Sequence, residues 1–216
     1  RIRMTVGGNL IEFPGDKSTK TADIIAIKAL INSIISTPGA RAAAIDLKNF
    51  YLENDLPNKE YIRIPVLYIP TDIQEQYNLK EYIVDGHVYA EISKGMYGLP
   101  QAGKVASDFL IPRLAAAGYH ETGVIPGLFK HESNSVTFAL VVDDFLIKYS
   151  DKKDLDHLMN TLNENYECTL DEKAEKFVGI TLDWNYEQGY VDASMPGYIE
   201  KAMQRFTHPV PKKPQA

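Results

Sequence analysis

Three aspartates stand where this sequence could do chemistry. Asp46 closes the apolar run "AAAIDL", and Asp143 and Asp144 interrupt "FALVVDDFLI", 97 residues further on. Aspartate is depleted in strands, and a charge rarely enters a core without a partner. If the two runs are neighbouring strands of one sheet, three carboxylates meet at one edge. Carboxylates that close repel and raise one another's pKa. Divalent cations remove the conflict, because hard ions take oxygen ligands. Two Mg²⁺ ions about 3.5–4 Å apart, bridged by carboxylates, form the clamp used for in-line phosphoryl transfer. The plainer alternative is a hairpin turn, since adjacent aspartates are good turn formers with solvated side chains.

The elements around them must set that geometry. "TADIIAIKALINSIISTPG" predicts a helix capped by Thr21 with an early Asp23, carrying Ile24, Ile27, Ile31, Ile34 and Ile35 at helical spacing and stopped by Pro38-Gly39. The short run "RAAAIDL" follows. "YIVDGHVYAEI" carries Asp85-Gly86 between alternating apolar positions, a hairpin signal. After the Gly/Pro-rich "GMYGLPQAG", a helix is expected from about Lys104 to Ala117, with Val105, Phe109, Leu110 and Leu114 inward and a kink at Pro112. Residues 137–149 read as two strands meeting at the aspartates. "DKKDLDHLMNTLNENY" reads as an amphipathic helix capped by Asp151, burying Leu155, Leu158, Met159, Leu162 and Tyr166. "FVGITLDWNYEQGYVDASM" reads as a further hairpin, and a last helix spans about Pro196 to Phe206. Strands and helices mix without regular βαβ alternation, so the class is α+β: an antiparallel sheet with helices on one face.

Composition is that of a globular chain, 44% hydrophobic and 24% charged over 216 residues. No apolar run approaches a membrane span, and no secretory signal pattern opens the sequence. Cys168 is the one cysteine, which excludes an intramolecular disulfide framework. The five histidines are scattered, without zinc spacing. A net charge of −6 argues on its face against nucleic acid. Its distribution softens this: residues 1–48 and 200–216 each carry +3, and the stretch between carries −12. The Pro- and Lys-rich end, "THPVPKKPQA", reads as a linker, and the whole as a piece of a longer polypeptide.

The neighbours of the aspartates resemble a known family. "IDLKNFYL" is similar to the first catalytic motif of copia-type LTR retrotransposon reverse transcriptases. "GMYGLPQAG" resembles their Leu-Tyr-Gly-Leu-x-Gln-Ala motif, "LVVDDFLI" their Tyr-Val-Asp-Asp motif, "KFVGITL" their Phe-Leu-Gly-Ile primer grip, and "MPGYIEKAMQRF" the segment that follows. All five appear in the family's order. The resemblance implies a ferredoxin/RRM-like polymerase palm with partial fingers and most of the thumb absent. Residues 1–45 would hold part of the fingers with the first palm helix and strand. Residues 46–206 would form the palm, with a fingers insertion at about 55–100 and a primer-grip hairpin at about 177–194. Residues 207–216 would be linker.

Site residues follow from the matched motifs. Asp46, Asp143 and Asp144 match the catalytic metal-binding aspartates, with the backbone carbonyl of Leu47 beside them, for two Mg²⁺ ions or for Mn²⁺. Tyr51 matches the steric gate, whose ring fills the space a ribose 2′-hydroxyl needs. Phe50 stands in the same nucleotide pocket, where the family usually has Ala. Gln101 is expected to hydrogen-bond the nucleotide or template, and Arg1 and Arg3 to clamp triphosphate oxygens. Lys173 is a candidate general acid for pyrophosphate. Val141, in place of the family's aromatic, and Val142 are expected at the primer end, with Phe177, Val178 and Gly179 as primer grip. The implied activity is template-directed DNA synthesis on an RNA or DNA template with primer and dNTPs. The implied setting is a Pol polyprotein with RNase H and integrase, in cytoplasmic virus-like particles, away from membranes. Two alternatives remain: a decayed or repurposed copy that binds nucleic acid or a protein without catalysis, and an unrelated carboxylate-pairing enzyme such as a nucleotide cyclase.

Overall fold

The computed structural model describes residues 4–205. Along the chain run α1 (Ile24–Ser36), β1 (Arg41–Leu47), β2 (Asp55–Pro65), α2 (Thr71–Gln76), β3 (His87–Lys94), α3 (Ala102–Ala116), β4 (Tyr119–Glu121) and β5 (Leu128–His131). They are followed by β6 (Thr137–Val141), β7 (Asp144–Tyr149), α4 (Lys152–Asn163), β8 (Cys168–Asp171), β9 (Lys176–Phe177), β10 (Ile180–Asn185), β11 (Tyr190–Ser194) and α5 (Tyr198–Gln204).

β1 is the strand around which the rest is arranged. Its residues are buried on both faces except Arg41 and Asp46, the pattern of a central strand covered from two sides. It pairs antiparallel with β7 on one edge and with β8 on the other. The main sheet has the order β4-β5-β6-β7-β1-β8. Within it, β1–α3–β6–β7–α4–β8 is a βαββαβ unit of ferredoxin-like order, and β4 and β5 extend its free edge. The class is therefore α+β with an antiparallel sheet.

Side-chain alternation divides the core in two. Ala43, Ile45 and Leu47 of β1 point to α3 and α4, where Ala106, Leu110, Leu114, Leu155, Leu158 and Leu162 meet Phe138, Phe145 and Ile147. Ala42 and Ala44 point the other way, to Ile27, Leu30 and Ile34 of α1 and to Phe177 and Leu182. Helices thus cover both faces, not one: α3 and α4 take the first, while α1 and the small β11-β10-β9 sheet take the second. Each Ile or Leu fully buried here contributes roughly 1.5–3 kcal/mol.

Local chemistry explains most boundaries. The cap of α1 is Asp23 rather than Thr21, its carboxylate accepting from the Ala26 N–H at 2.7 Å. Asp151 caps α4 as its position predicts. In α3 the helix runs on through Pro112 to Ala116, and Phe109 faces solvent with the Arg113 guanidinium over its ring. The Asp85-Gly86 turn forms, both residues having positive φ, but only one bridge, Val84 to His87, precedes it. β3 takes β2 as its partner instead. The stretch read as one hairpin at 177–194 is three strands. The last helix is shorter than expected, Tyr198–Gln204. Among the described residues no helix is long and apolar enough to cross a membrane.

Candidate active site

The sheet register brings the aspartates together. Asp46 of β1 is the register partner of Asp144 of β7. Paired positions in antiparallel strands hold their Cα atoms about 4.5–5.5 Å apart. Asp46 shares its face with Ala42 and Ala44, and Asp144 shares its face with Leu146, all on the α1 side of the sheet. Both carboxylates therefore emerge from one face, just beyond the residues that α1 covers. Val141 of β6, Asp144, Asp46 and Thr169 of β8 form one cross-strand row. Thr169 is exposed and was not singled out by the sequence, because nothing local reveals which β8 residue will face Asp46.

Asp143 sits in the two-residue turn between β6 and β7, and its backbone carbonyl accepts from the Leu47 N–H at 3.0 Å. That bond ties the turn to the end of β1. Val142, the other turn residue, has φ of +61°. A β-branched residue in the left-handed region is a conformational outlier, and such strain costs about 1–3 kcal/mol. Leu47 buries its side chain in the core, so only its backbone is left to serve the site.

Electrostatics follow from this crowding. Burial, then the charges of Asp143 and Asp46, push the Asp144 carboxyl up to about 6. On the next strand, burial, then Asp46 and Glu167, push the Cys168 thiol up to about 11. Among the described residues no group of three or more His, Cys, Asp or Glu side chains is disposed to hold a metal ion as it stands. The donor chemistry nevertheless suits a hard divalent ion: carboxylates from three positions, held by one register and one turn, whose mutual repulsion a cation would relieve.

Aromatic rings border the carboxylates. The turn after β1 carries Asn49 at φ +54° and is braced by Asn54, whose amide donates to the Phe50 carbonyl at 2.6 Å. Phe50 lies in the core with only 2% of its surface exposed. Its ring packs 5.8 Å from Tyr166 and 5.8 Å from Tyr51. The expectation of Phe50 in the nucleotide pocket is thus corrected: its ring is a floor beneath Tyr51. Tyr51 itself is half-buried. Desolvation, then the Asp143 charge and Tyr97, raise its phenol above the ordinary value. Gln101, just before α3, is buried. Its Nε2 donates to Glu60 Oε1 at 2.8 Å, while its Oε1 has no hydrogen-bond partner among the described residues. An orphaned buried acceptor is costly.

The small sheet closes the other side. Phe177 is buried against α1's face of the core. Val178 and Gly179 form the β9–β10 turn, both at positive φ. An open groove of about 500 Å³ runs from Asp144 along Lys176, Phe177, Val178 and Gly179. The β9–β10 turn and Asp144 therefore line one groove.

Lys173 does not reach this site. β8 runs antiparallel to β1, from Cys168 opposite Leu47 to Asp171 opposite Ala44, so its chain leads away from Asp46. Lys173 borders a cavity with Arg41 and Ala42, and at 3.3 Å per residue Ala42 is about 13 Å along β1 from Asp46. Its ammonium lies 3.6 Å from Glu175 in an exposed loop. Arg1, Arg3 and the linker 207–216 lie outside the described residues.

A sequence model of the family described as reverse transcriptase (RNA-dependent DNA polymerase) matches residues 17–209. This chain belongs to the reverse transcriptase family. The βαββαβ sheet with its paired aspartates is accordingly a partial polymerase palm. Among solved structures, the chain is similar to a telomerase from Candida albicans in complex with a fragment of telomeric RNA, at 13% identity and a TM-score of 0.43, over 76% of this chain and 33% of that one. It is also similar to an apo telomerase from Candida tropicalis truncated from its C-terminal domain, at 14% identity and a TM-score of 0.39, over 78% of this chain and 38% of the other. The chain thus spans about a third of the length of those telomerases.

Proposed function

We propose that this chain is the palm and part of the fingers of a copia-type retrotransposon reverse transcriptase, and that it extends a primer on an RNA or DNA template with dNTPs. The observation that carries the reading is the pairing of Asp46 with Asp144 across β1 and β7, with Asp143 tied to the end of β1 by its backbone. Asp46, Asp143 and Asp144 would hold Mg²⁺, or Mn²⁺, with the carbonyl of Leu47. Bound there, such ions would supply activation of the primer hydroxyl and neutralisation of the charge on the departing pyrophosphate.

The protein's own residues position the reactants. The groove from Asp144 along Val178 and Gly179 carries the primer end toward the carboxylates, and the Gly179 backbone allows close approach of a strand. Tyr51 stands beside Asp143 as a wall at the sugar of the incoming nucleotide. Gln101, its amide oriented by Glu60, offers an acceptor to a nucleotide or template N–H or O–H. Lys173 is too remote to protonate pyrophosphate. The wider setting, a Pol polyprotein with RNase H and integrase in virus-like particles, rests on the motif resemblance.

Primer extension on poly(rA)/oligo(dT) with Mg²⁺ tests this. The full-length protein should incorporate dTTP only when template is present, and Asp143→Asn should abolish it. Salt-sensitive RNA binding without extension under either metal would instead mark a copy that binds and does not catalyse. Product formed from free nucleotide without template would point to cyclase-like chemistry.

A further inference from the structure

We propose that Tyr97 is a positioning residue for sugar selection: its ring, carried by the loop Gly95–Gly98, holds the Tyr51 ring in the orientation that excludes a ribose 2′-hydroxyl. The inference rests on the reading of Tyr51 as the sugar gate.

A wall discriminates by clash only if it cannot swing aside. A tyrosine free to change χ1 moves its ring edge by several ångströms, because staggered wells lie about 120° apart. Tyr51 sits on an irregular turn, so regular secondary structure does not immobilise it. Two rings do. Phe50 lies on one side, buried in the core, with its centroid 5.8 Å from that of Tyr51 and the planes tilted by 41°. Tyr97 meets it edge-on, at 5.1 Å and 77°. An edge-to-face pair is a favoured aromatic geometry. Core packing fixes Phe50, so the adjustable half of the vice is Tyr97.

The loop that carries Tyr97 is shaped to press against the Tyr51 turn. A Cβ on Gly95 would lie 2.4 Å from the Tyr51 carbonyl oxygen. Any side chain there would lift the loop off. Gly98 has φ of +94°, and a Cβ on it would lie 2.2 Å from the Val6 carbonyl oxygen. Between them the Tyr97 carbonyl accepts from the Val6 N–H at 2.9 Å. The Gly95 N–H donates to Asn54 O at 2.8 Å, and Asn54 N–H donates to Tyr51 O. The two glycines bring one short loop into backbone contact with the sugar-gate turn on one side and with the chain near Val6 on the other. Tyr97 is the side chain placed at that junction.

The experiment is competition between dTTP and rUTP in primer extension on poly(rA)/oligo(dT) with the full-length protein, read as the ratio of kcat/KM values. Tyr97→Ala should lower the dTTP-over-rUTP preference by about 2- to 12-fold, the range that an edge-to-face ring contact commands. The gain should lie in rUTP use. Tyr97→Phe, which keeps the ring, should retain the wild-type ratio, and Gly95→Ala, which displaces the loop, should lower it. In a Tyr51→Ala background, Tyr97→Ala should have no further effect on the ratio. An unchanged ratio in Tyr97→Ala, or equal loss of both activities, overturns the proposal while the gate stands, provided Tyr51→Ala alone lowers the ratio. Tyr97→Phe behaving as Tyr97→Ala also overturns it, since the hydroxyl rather than the ring would then be responsible. A ratio unmoved by Tyr51→Ala refutes the gate itself and this inference with it.

Discussion

Replacing Asp144 with Asn should make the fold more stable near neutral pH, by an amount that depends on pH. Burial, aided by Asp143 and Asp46, raises the Asp144 carboxyl from 3.8 to about 6 in the folded chain. A shift of roughly two units corresponds to about 3 kcal/mol, at 1.36 kcal/mol per unit. Asp144 is only half-buried, and solvent screening removes at least half of that, leaving about 1–1.5 kcal/mol. The folded pKa is raised, so the contribution to stability is complete below about 3.8 and is lost as the pH rises through about 6. Asn removes the charge and keeps the shape. The stability difference, variant minus wild type, should therefore be near zero at about pH 4 and grow to roughly 1–1.5 kcal/mol by about pH 7.5. Urea unfolding followed through the fluorescence of Trp184, the one tryptophan, measures it, with chelator present so that stray divalent ions do not mask the repulsion. Adding Mg²⁺ should then stabilise the wild type more than the Asn variant, by mass action. A difference that does not change with pH, or an Asn variant less stable at about pH 7.5, would refute the argument that burial, with the neighbouring carboxylates, disfavours the Asp144 charge.

Two further substitutions probe the scaffold. Val142→Gly removes strain of about 1–3 kcal/mol at φ +61°, against about 0.5–1 kcal/mol of chain entropy and about 1 kcal/mol for the half-buried valine's contact with the core. The unfolding free energy should therefore change by less than about 1 kcal/mol; a loss of about 2 kcal/mol or more would show that the turn is not strained. His131→Ala removes an imidazole whose Nδ1 accepts from the Ser133 and Asn134 N–H groups and whose Nε2 lies 3.1 Å from Ala117 O. With about 1 kcal/mol per hydrogen bond, thermal unfolding should report a loss of roughly 3 kcal/mol, and a loss below about 1 would mean that solvent replaces these bonds.

How much of this could be read from the sequence depends on how local the determinant is. The helices at Ile24–Ser36 and Lys152–Asn163 were legible because their apolar spacing and capping aspartates are written within a few residues. So was the turn at Asp143, a polar interruption between two apolar runs. The second helical layer was not legible. Ala42 and Ala44 are as apolar as Ala43 and Ile45, and a strand buried on both faces shows no alternation from which a one-sided sheet could be told. Phe109 was misplaced inward for a related reason: on α3 the apolar residues run all round the helix, so spacing alone does not select the face.

The site divides along the same line. Asp46, Asp143 and Asp144 draw notice in the sequence as charges at the ends of apolar runs, and the flanking motifs single them out as candidate metal ligands; the fold makes Asp46 and Asp144 register partners. Lys173 was misassigned because a motif order says which residues follow one another, and not in which direction the chain travels once it has left the site. That direction is set by the register of β8 on β1, a contact between residues more than 120 apart in sequence. The same register places Thr169 beside Asp46, though nothing in "ECTLDE" hints at it. Phe50 makes the point from the other side. In sequence it is a departure at the edge of a nucleotide pocket, and in the fold it is a buried ring against Tyr166. The Phe50 ring thus flanks Tyr51 from the core, and Tyr97, brought in by a loop that two glycines allow to lie flush, meets Tyr51 edge-on from outside it.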